Sequence, residues 1–571
     1  MTQELMDRVA VARGAVPADL ILRNAKLVNV LSGEIEETDI VIKRSRVVAL
    51  GCDYEAAQEV DLQGRYVCPG FIDAHAHVES SLCTPPEFFK AVLAHGVTSV
   101  VTDPHEIANV LGLEGVRFML DAAKNSPISM YVMAPSCVPA THMATSGAHL
   151  EAYDMEPLMS SPWVLGLAEM MNYPGVVHGD KGVLRKLEMF RHMVVDGHCP
   201  GLSEKQLNAY ITAGVRSEHE ATTVDEALEK LRLGLHIFIR EGTATQNLLP
   251  LLPMVTEKNS RHISFCTDDR HPADLIDQGS IDYMVRVAIA EGIDPMTAIQ
   301  MATLNTAEYF RLYDRGSIVP GRRADLVVFS DLYDLQPELV YRGGALVAKD
   351  GAVVADLPVH REARLRHSIN MRWDEVDFSM PTQGQQARVI GCVPDQVVTE
   401  HLIRAIKIED GFAVSDTERD ILKLAVIERH RASGNMGQGF IQGIGLKRGA
   451  IAGTVAHDHH NLIVIGADDE SMRAAAWRVY EMGGGLAAVD GQQVLAELPL
   501  PIGGLMSDRP IGDVRIAIDQ LIAAGHELGS TMHDPFMVMG FMALEVIPSL
   551  KLTDLGLVDV DKFEVVDLWV D

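Results

Sequence analysis

Two histidines one residue apart, His75 and His77, are the most chemically capable pair in this chain. They follow the apolar stretch Pro69-Gly70-Phe71-Ile72. In an extended strand the two-residue period puts both imidazoles on one side, able to grip one ion together. An H-x-H pair alone is a weak signal, because histidines at this spacing commonly serve packing or surface roles. Here more donors follow other short apolar runs. Asp103, His105 and Glu106 come after 98–102, Glu169 closes 163–168, His198 follows 192–195, His219 follows 214–216, and Asp268 ends 263–267. The carboxylate of Glu169 has two oxygens and could bridge two cations, with His198 and His219 serving the second. Asp268 could ligate one ion and take a proton from bound water. Asp269 is its natural competitor, but register after Phe265 and Thr267 favours Asp268. A pair of divalent ions lowers the pKa of a shared water toward neutrality, so hydrolysis needs no Ser or Cys nucleophile. No G-x-S-x-G elbow and no P-loop occurs.

Such donors must be brought together by the elements that carry them. Eight short apolar runs, 66–72, 98–102, 129–133, 163–168, 192–195, 214–216, 236–239 and 263–267, alternate with helix-like sequence. That alternation is the βα pattern, and eight units in about 250 residues match a TIM (β/α)8 barrel, whose chemistry sits at the C-terminal ends of the strands. A doubly wound open sheet would want a Gly-rich phosphate turn after its first strand, where this chain has Asp73-Ala74-His75-Ala76-His77. Strand-like runs before residue 65 and again at 324–351 predict a small β-sandwich domain built from both flanks. From about residue 370, Gly- and Met-rich sequence with mixed patterning predicts a separate α+β domain. The expected fold class is therefore α/β, divided as 1–65 plus 316–368 (sandwich), 66–315 (metal-binding barrel) and 369–571 (C-terminal domain).

Composition narrows the partners. The chain has 571 residues and a formal net charge of -30, a surface that repels phosphate backbones and argues against nucleic acid. Neither a signal-peptide h-region nor a stretch of about 18 apolar residues is present, so a membrane is not expected. Seven scattered cysteines without a CxxC pair argue against a disulfide framework or a thiolate zinc site and for a reducing cytoplasm. His457, His459 and His460 form a tempting trio, but they lie outside the barrel pattern. They are read as a turn, or as a loop closing over the site, rather than as a third metal site.

The segment Val67-Cys68-Pro69-Gly70-Phe71-Ile72-Asp73-Ala74-His75-Ala76-His77 resembles the first barrel strand of the amidohydrolase superfamily. Within it the chain resembles the adenine deaminases with a long C-terminal extension. The resemblance is carried by Thr102-Asp103-Pro104-His105-Glu106-Ile107-Ala108-Asn109-Val110, Asp196-Gly197-His198-Cys199-Pro200-Gly201-Leu202, Ser217-Glu218-His219-Glu220, Thr267-Asp268-Asp269-Arg270 and Ala456-His457-Asp458-His459-His460-Asn461. It implies hydrolytic deamination of adenine to hypoxanthine and ammonia. On that reading hydroxide on a binuclear centre that can use manganese or iron attacks C6 of the purine, and Asp268 shuttles the proton to the departing amine; the His and carboxylate ligands would suit zinc as well. It also implies Glu169 where many relatives carry a carboxylated lysine. Asp103, His105, Glu220 and Glu241 stay open as donors of the ring proton. A binuclear cyclic-amide hydrolase of the dihydroorotase or hydantoinase kind would use the same ligands, though Glu169 in place of Lys counts against it. A non-catalytic scaffold barrel would be expected to lack one of the ligands. A homodimer is expected from size alone.

Overall fold

The computed structural model describes residues 2–124, 126–357, 365–394 and 396–570. Its centre is a ring of parallel strands. Phe71–Ala76, Val97–Thr102, Ser129–Ala134, Val164–Met170 and Val194–Gly197 pair in that order. Ser217–Glu218, His236–Arg240 and Ile263–Cys266 pair likewise. The Arg216 N–H donates to the Val195 carbonyl at 3.0 Å and joins the two groups. Asp268 N–H donates to the His75 carbonyl at 2.9 Å, returning the eighth strand to the first. This TIM-barrel-like ring buries both faces of its strands, which explains why they read as short runs such as Val-Thr-Ser-Val-Val-Thr rather than alternating ones. Ile72, Ala74, Val101, Tyr131, Met133, Ala168, Val194, Phe238 and Cys266, from seven of these strands, form one cluster with Ala307, Phe310 and Leu312.

The first apolar run differs from its sequence reading. Tyr66–Pro69 belongs to an outer sheet, paired with Ala18–Asn29 and Leu326–Phe329, and only Phe71–Ala76 enters the ring. Gly70 makes the crossing, where any Cβ would collide with the side chain of Thr98. Hydropathy does not change across this step, so the run reads as one strand. The outer sheet has nine strands drawn from both flanks in one continuous sheet. Its far edge returns through Val47 N–H to Arg322 O and Ala324 N–H to Ser45 O. Leu20, Ile40, Val47, Leu326 and Tyr341 consequently share one core.

The C-terminal region is β-rich and separate, with an eight-stranded sheet in which Ile421–Ile427 and Leu462–Gly466 are central. Helix Asp469–Glu481 covers one face through Met472, Ala475, Ala476 and Val479. The opposite face, with Leu422, Leu424 and Ile441, runs into the same apolar cluster as the outside of the ring. Polar ties reinforce that seam: Thr141 Oγ1 donates to Glu545 at 2.9 Å and Thr145 N–H to Asp554 at 2.8 Å. Among the described residues no helix is long and apolar enough to cross a membrane.

Candidate functional site

Because the strands run parallel, their C-terminal ends share one rim. His75 lies at the end of the first strand and His77 directly after it. Glu169 sits in the fourth, His198 and His219 follow the fifth and sixth, and Asp268 comes two residues after the eighth. All six are buried. The Nε2 atoms of His75 and His77 are 3.1 Å apart, facing Asp268 Oδ1 at 3.4 and 3.0 Å and Glu169 Oε1 at 3.5 and 3.3 Å. The other oxygen of Glu169, Oε2, faces His198 Nδ1 at 2.8 Å and His219 Nε2 at 3.3 Å. One carboxylate thus offers one oxygen to each of two histidine pairs, and the pairs adjoin, since His75 stacks on His219 at 4.4 Å and the two lie close enough to share an ion with Asp268.

The surroundings fix these orientations. His77 Nδ1–H donates to the Asp103 carbonyl at 3.0 Å, which turns the lone pair of Nε2 inward. Asp73 accepts from Thr267 N–H at 3.1 Å and Oγ1 at 2.5 Å, fastening the first strand to the eighth beneath the donors. Burial disfavours charge on His75, yet Asp268 and Glu169 push its pKa up to about 10. Burial also opposes the Asp268 carboxylate, but His75, His77 and Arg240 hold it well below the usual carboxylate range. Carboxylates and imidazoles packed this closely call for positive charge at their centre, which a divalent cation would provide without protons. His198 Nε2 is buried with no hydrogen-bond partner among the described residues, and His75, His77 and Glu169, or Glu169, His198 and His219, are close enough to hold an ion. The donor set is nitrogen and oxygen throughout, as metal-dependent hydrolysis needs.

The remaining sequence candidates separate. His105 lines the cleft, with Nδ1 on Asp103 Oδ2 at 3.0 Å and 3.7 Å from Glu169 Oε1. Asp103 itself lies behind His105 and orients it. Glu220 lines the cleft but is clasped by Arg240 through Nη1 and through Nη2, the latter at 3.1 Å. Glu241 accepts Leu248 N–H at 3.1 Å, away from the cleft.

Two features escaped sequence reading. Arg240 ends the seventh strand, where no ligand was expected, and also donates to Asp268 Oδ2 at 2.8 Å. Its signal was a lone cation closing the apolar run His236-Ile237-Phe238-Ile239. The second is a partnership rather than a residue: Glu106, already among the sequence's donors, has its carboxylate held by His457 Nδ1 at 2.6 Å and by His460 Nε2, in keeping with the expected loop over the site. The loop 456–461 therefore lies over the rim, and His457 and Asp458 line the cleft with Val397, Phe541, Leu544 and Ile547. His459 points elsewhere, its Nδ1 accepting Asn461 N–H at 3.1 Å.

Comparison with known proteins agrees with both halves of this arrangement. Residues 66–349 match the amidohydrolase family, and residues 396–564 match the adenine deaminase C-terminal domain. An adenine deaminase of Desulfatibacillum aliphaticivorans is 50% identical over 564 residues, covering 98% of this chain and 99% of that protein. Adenine deaminase 2 of Carboxydothermus hydrogenoformans is 49% identical over 567 residues, with the same two shares. An adenine deaminase of Cereibacter sphaeroides is 48% identical over 565 residues, 99% of this chain and 100% of that one. Likeness at this level over the full length of both partners means that this chain belongs to the adenine deaminase family of the amidohydrolases.

Proposed function

We propose that the chain hydrolyses adenine to hypoxanthine and ammonia in a (β/α)8 barrel flanked by the sandwich (1–65, 316–368) and C-terminal (369–571) domains. Two divalent cations, manganese foremost, would be held by His75, His77, Glu169 and Asp268 on one side and by Glu169, His198 and His219 on the other. The observation that carries this reading is the division of the Glu169 carboxylate, Oε1 toward one histidine pair and Oε2 toward the other. When bound, the cations supply hydroxide at neutral pH and polarise the ring carbon that carries the amine.

The chain's own residues then manage protons. Asp268, anchored through Oδ2 on Arg240, keeps Oδ1 directed at the histidine pair, where it can take a proton and pass it to the departing amine. His105, oriented by Asp103, is the best placed of the four candidates for the ring proton. Asp103 and Glu241 face away from the cleft, and Glu220 is occupied by Arg240. The full-length relatives named adenine deaminase support this chemistry over cyclic-amide hydrolysis. We further place the enzyme in the cytoplasm as a homodimer, with its seven cysteines free.

The test is ammonia release from adenine by manganese-loaded protein, with metal counted on the same sample. Rapid release with about two ions per chain is the expected result. Two ions without ammonia would remove adenine and bring cyclic amides forward.

A further inference from the structure

The carboxylates lining the cleft are nearly all engaged. Glu106 is held by two histidines, Glu169 by His198, Glu220 and Asp268 by Arg240, and Asp269 by Ser80 Oγ. Asp458 differs. Its side chain is buried, its Oδ2 has no hydrogen-bond partner among the described residues, and its Oδ1 lies 3.6 Å from His105 Nε2. A buried carboxylate oxygen without a donor costs folding free energy, and one that lines a cleft is placed to take its donor from whatever the cleft binds.

The loop that carries Asp458 is held on both sides. His457 rests on Glu106 and stacks on Phe541 with ring centres 4.7 Å apart at 17°. The His460 carbonyl accepts from Arg429, and Asn461 reaches Thr145 O at 2.9 Å. Besides His457 and Asp458, the C-terminal domain contributes Val397, Phe541, Leu544 and Ile547 to the lining of the cleft. The C-terminal domain therefore brings an apolar wall and one acceptor to a rim otherwise crowded with metal donors. A flat heteroaromatic ring with a single N–H away from its reacting carbon is the complement of that pattern.

Adenine has two groups that donate hydrogen bonds, the exocyclic amine and one N–H of the imidazole ring. The amine is borne by the carbon under attack, so it must lie at the histidine cluster. We propose that Asp458 accepts the imidazole-ring N–H of the purine and thereby makes the site selective for the free base over N9-substituted purines. The proposal rests on the adenine reading above and adds a specificity-determining residue supplied by the C-terminal domain. An N9 substituent removes the donor and brings carbon against a buried carboxylate, so rejection combines a missing hydrogen bond with an unpaired acceptor.

The experiment is calorimetric binding of purine and of 9-methylpurine to the manganese-loaded full chain. Neither probe carries the amine, so the readout is independent of turnover. Wild type is expected to bind purine about 100-fold more tightly than 9-methylpurine. Asp458→Ala is expected to weaken purine by about 30-fold or more while leaving 9-methylpurine within about threefold. Equal affinity of the wild type for both probes overturns the proposal, and so does parallel weakening of both by Asp458→Ala, the mark of a purely structural role. The wild-type comparison stands even if the alanine variant does not fold, and Asp458→Asn, of the same shape, repeats it with an intermediate loss. Ammonia release from adenine by the same preparation reads the deaminase assignment separately. Selective purine binding without ammonia would leave the Asp458 contact standing and remove the reaction.

Discussion

Replacing Glu169 with Gln tests the centre most directly. In the wild type each carboxylate oxygen serves a different donor group: Oε1 lies 3.5 and 3.3 Å from His75 and His77, and Oε2 lies 2.8 and 3.3 Å from His198 and His219. Gln keeps the length but has one oxygen. Whichever way the amide turns, its NH2 faces one histidine pair, and that side gives up an anionic ligand and meets two N–H bonds instead. If Glu169 is the bridging ligand proposed, its loss is expected to weaken binding by more than the 10- to 100-fold typical of changes to the residues that merely support ligands. The variant should therefore hold about one ion per chain where wild type, on the proposed reading, would hold about two. On the proposed two-cation reading, activity should fall by about three orders of magnitude or more, because the hydroxide would lose the ligand that positions it between the cations. Elemental analysis after exhaustive dialysis, paired with ammonia release from adenine, reads both effects. Two retained ions with near-normal turnover would refute the bridging role, and with it the division of donors into two groups.

Arg240→Met leaves Glu220 and Asp268 buried without their counter-charge, so the metal-free protein should lose about 3–5 kcal/mol of stability. The manganese-loaded protein should lose less, since the cations restore that charge; equal losses in paired denaturant titrations would show that Arg240 does not share the duty with the metals. His459→Ala should leave metal content unchanged, because this imidazole points away from the cleft; loss of an ion per chain on elemental analysis would make it a ligand. Lys551 is fully buried, donates to Val397 O at 2.7 Å and Phe541 O at 3.0 Å, and burial lowers its pKa to about 7. An unfolded lysine titrates near about 10.4, so between these values the unfolded chain binds a proton that the folded chain does not. Its share of the stability should rise with pH from about 7 to about 10, and Lys551→Met should remove that rise in melts run across the window; an unchanged slope would place the titration elsewhere.

The donor residues were legible because a parallel strand ring puts chemistry at fixed places. Strands buried on both faces read as short apolar runs, and a charged or imidazole residue at the end of such a run stands out against them. His75, His77, Glu169, His198, His219 and Asp268 all carry this local signature. The order of the strands follows from it too, since βα units pair with their neighbours. The boundary at Gly70 did not show, because a strand leaving one sheet for another keeps its hydropathy and changes only its partners.

Spacing along the chain could not assign partners to side chains distant in sequence. Glu106 meets His457 and His460 across some 350 residues, and nothing local to either segment announces the match. Arg240 reads as an ordinary strand-end cation until the ring closes and sets it between Glu220 and Asp268. His457, His459 and His460 look equivalent in sequence, yet the loop sends two to Glu106 and turns the third away. Residue type and periodicity thus determined which nitrogen and oxygen donors gather on one rim. The tertiary structure decided which carboxylates are satisfied and that Asp458 alone among those lining the cleft keeps an unpartnered oxygen among the described residues, because hydrogen-bond partnership depends on distance in space, to which sequence separation gives no guide.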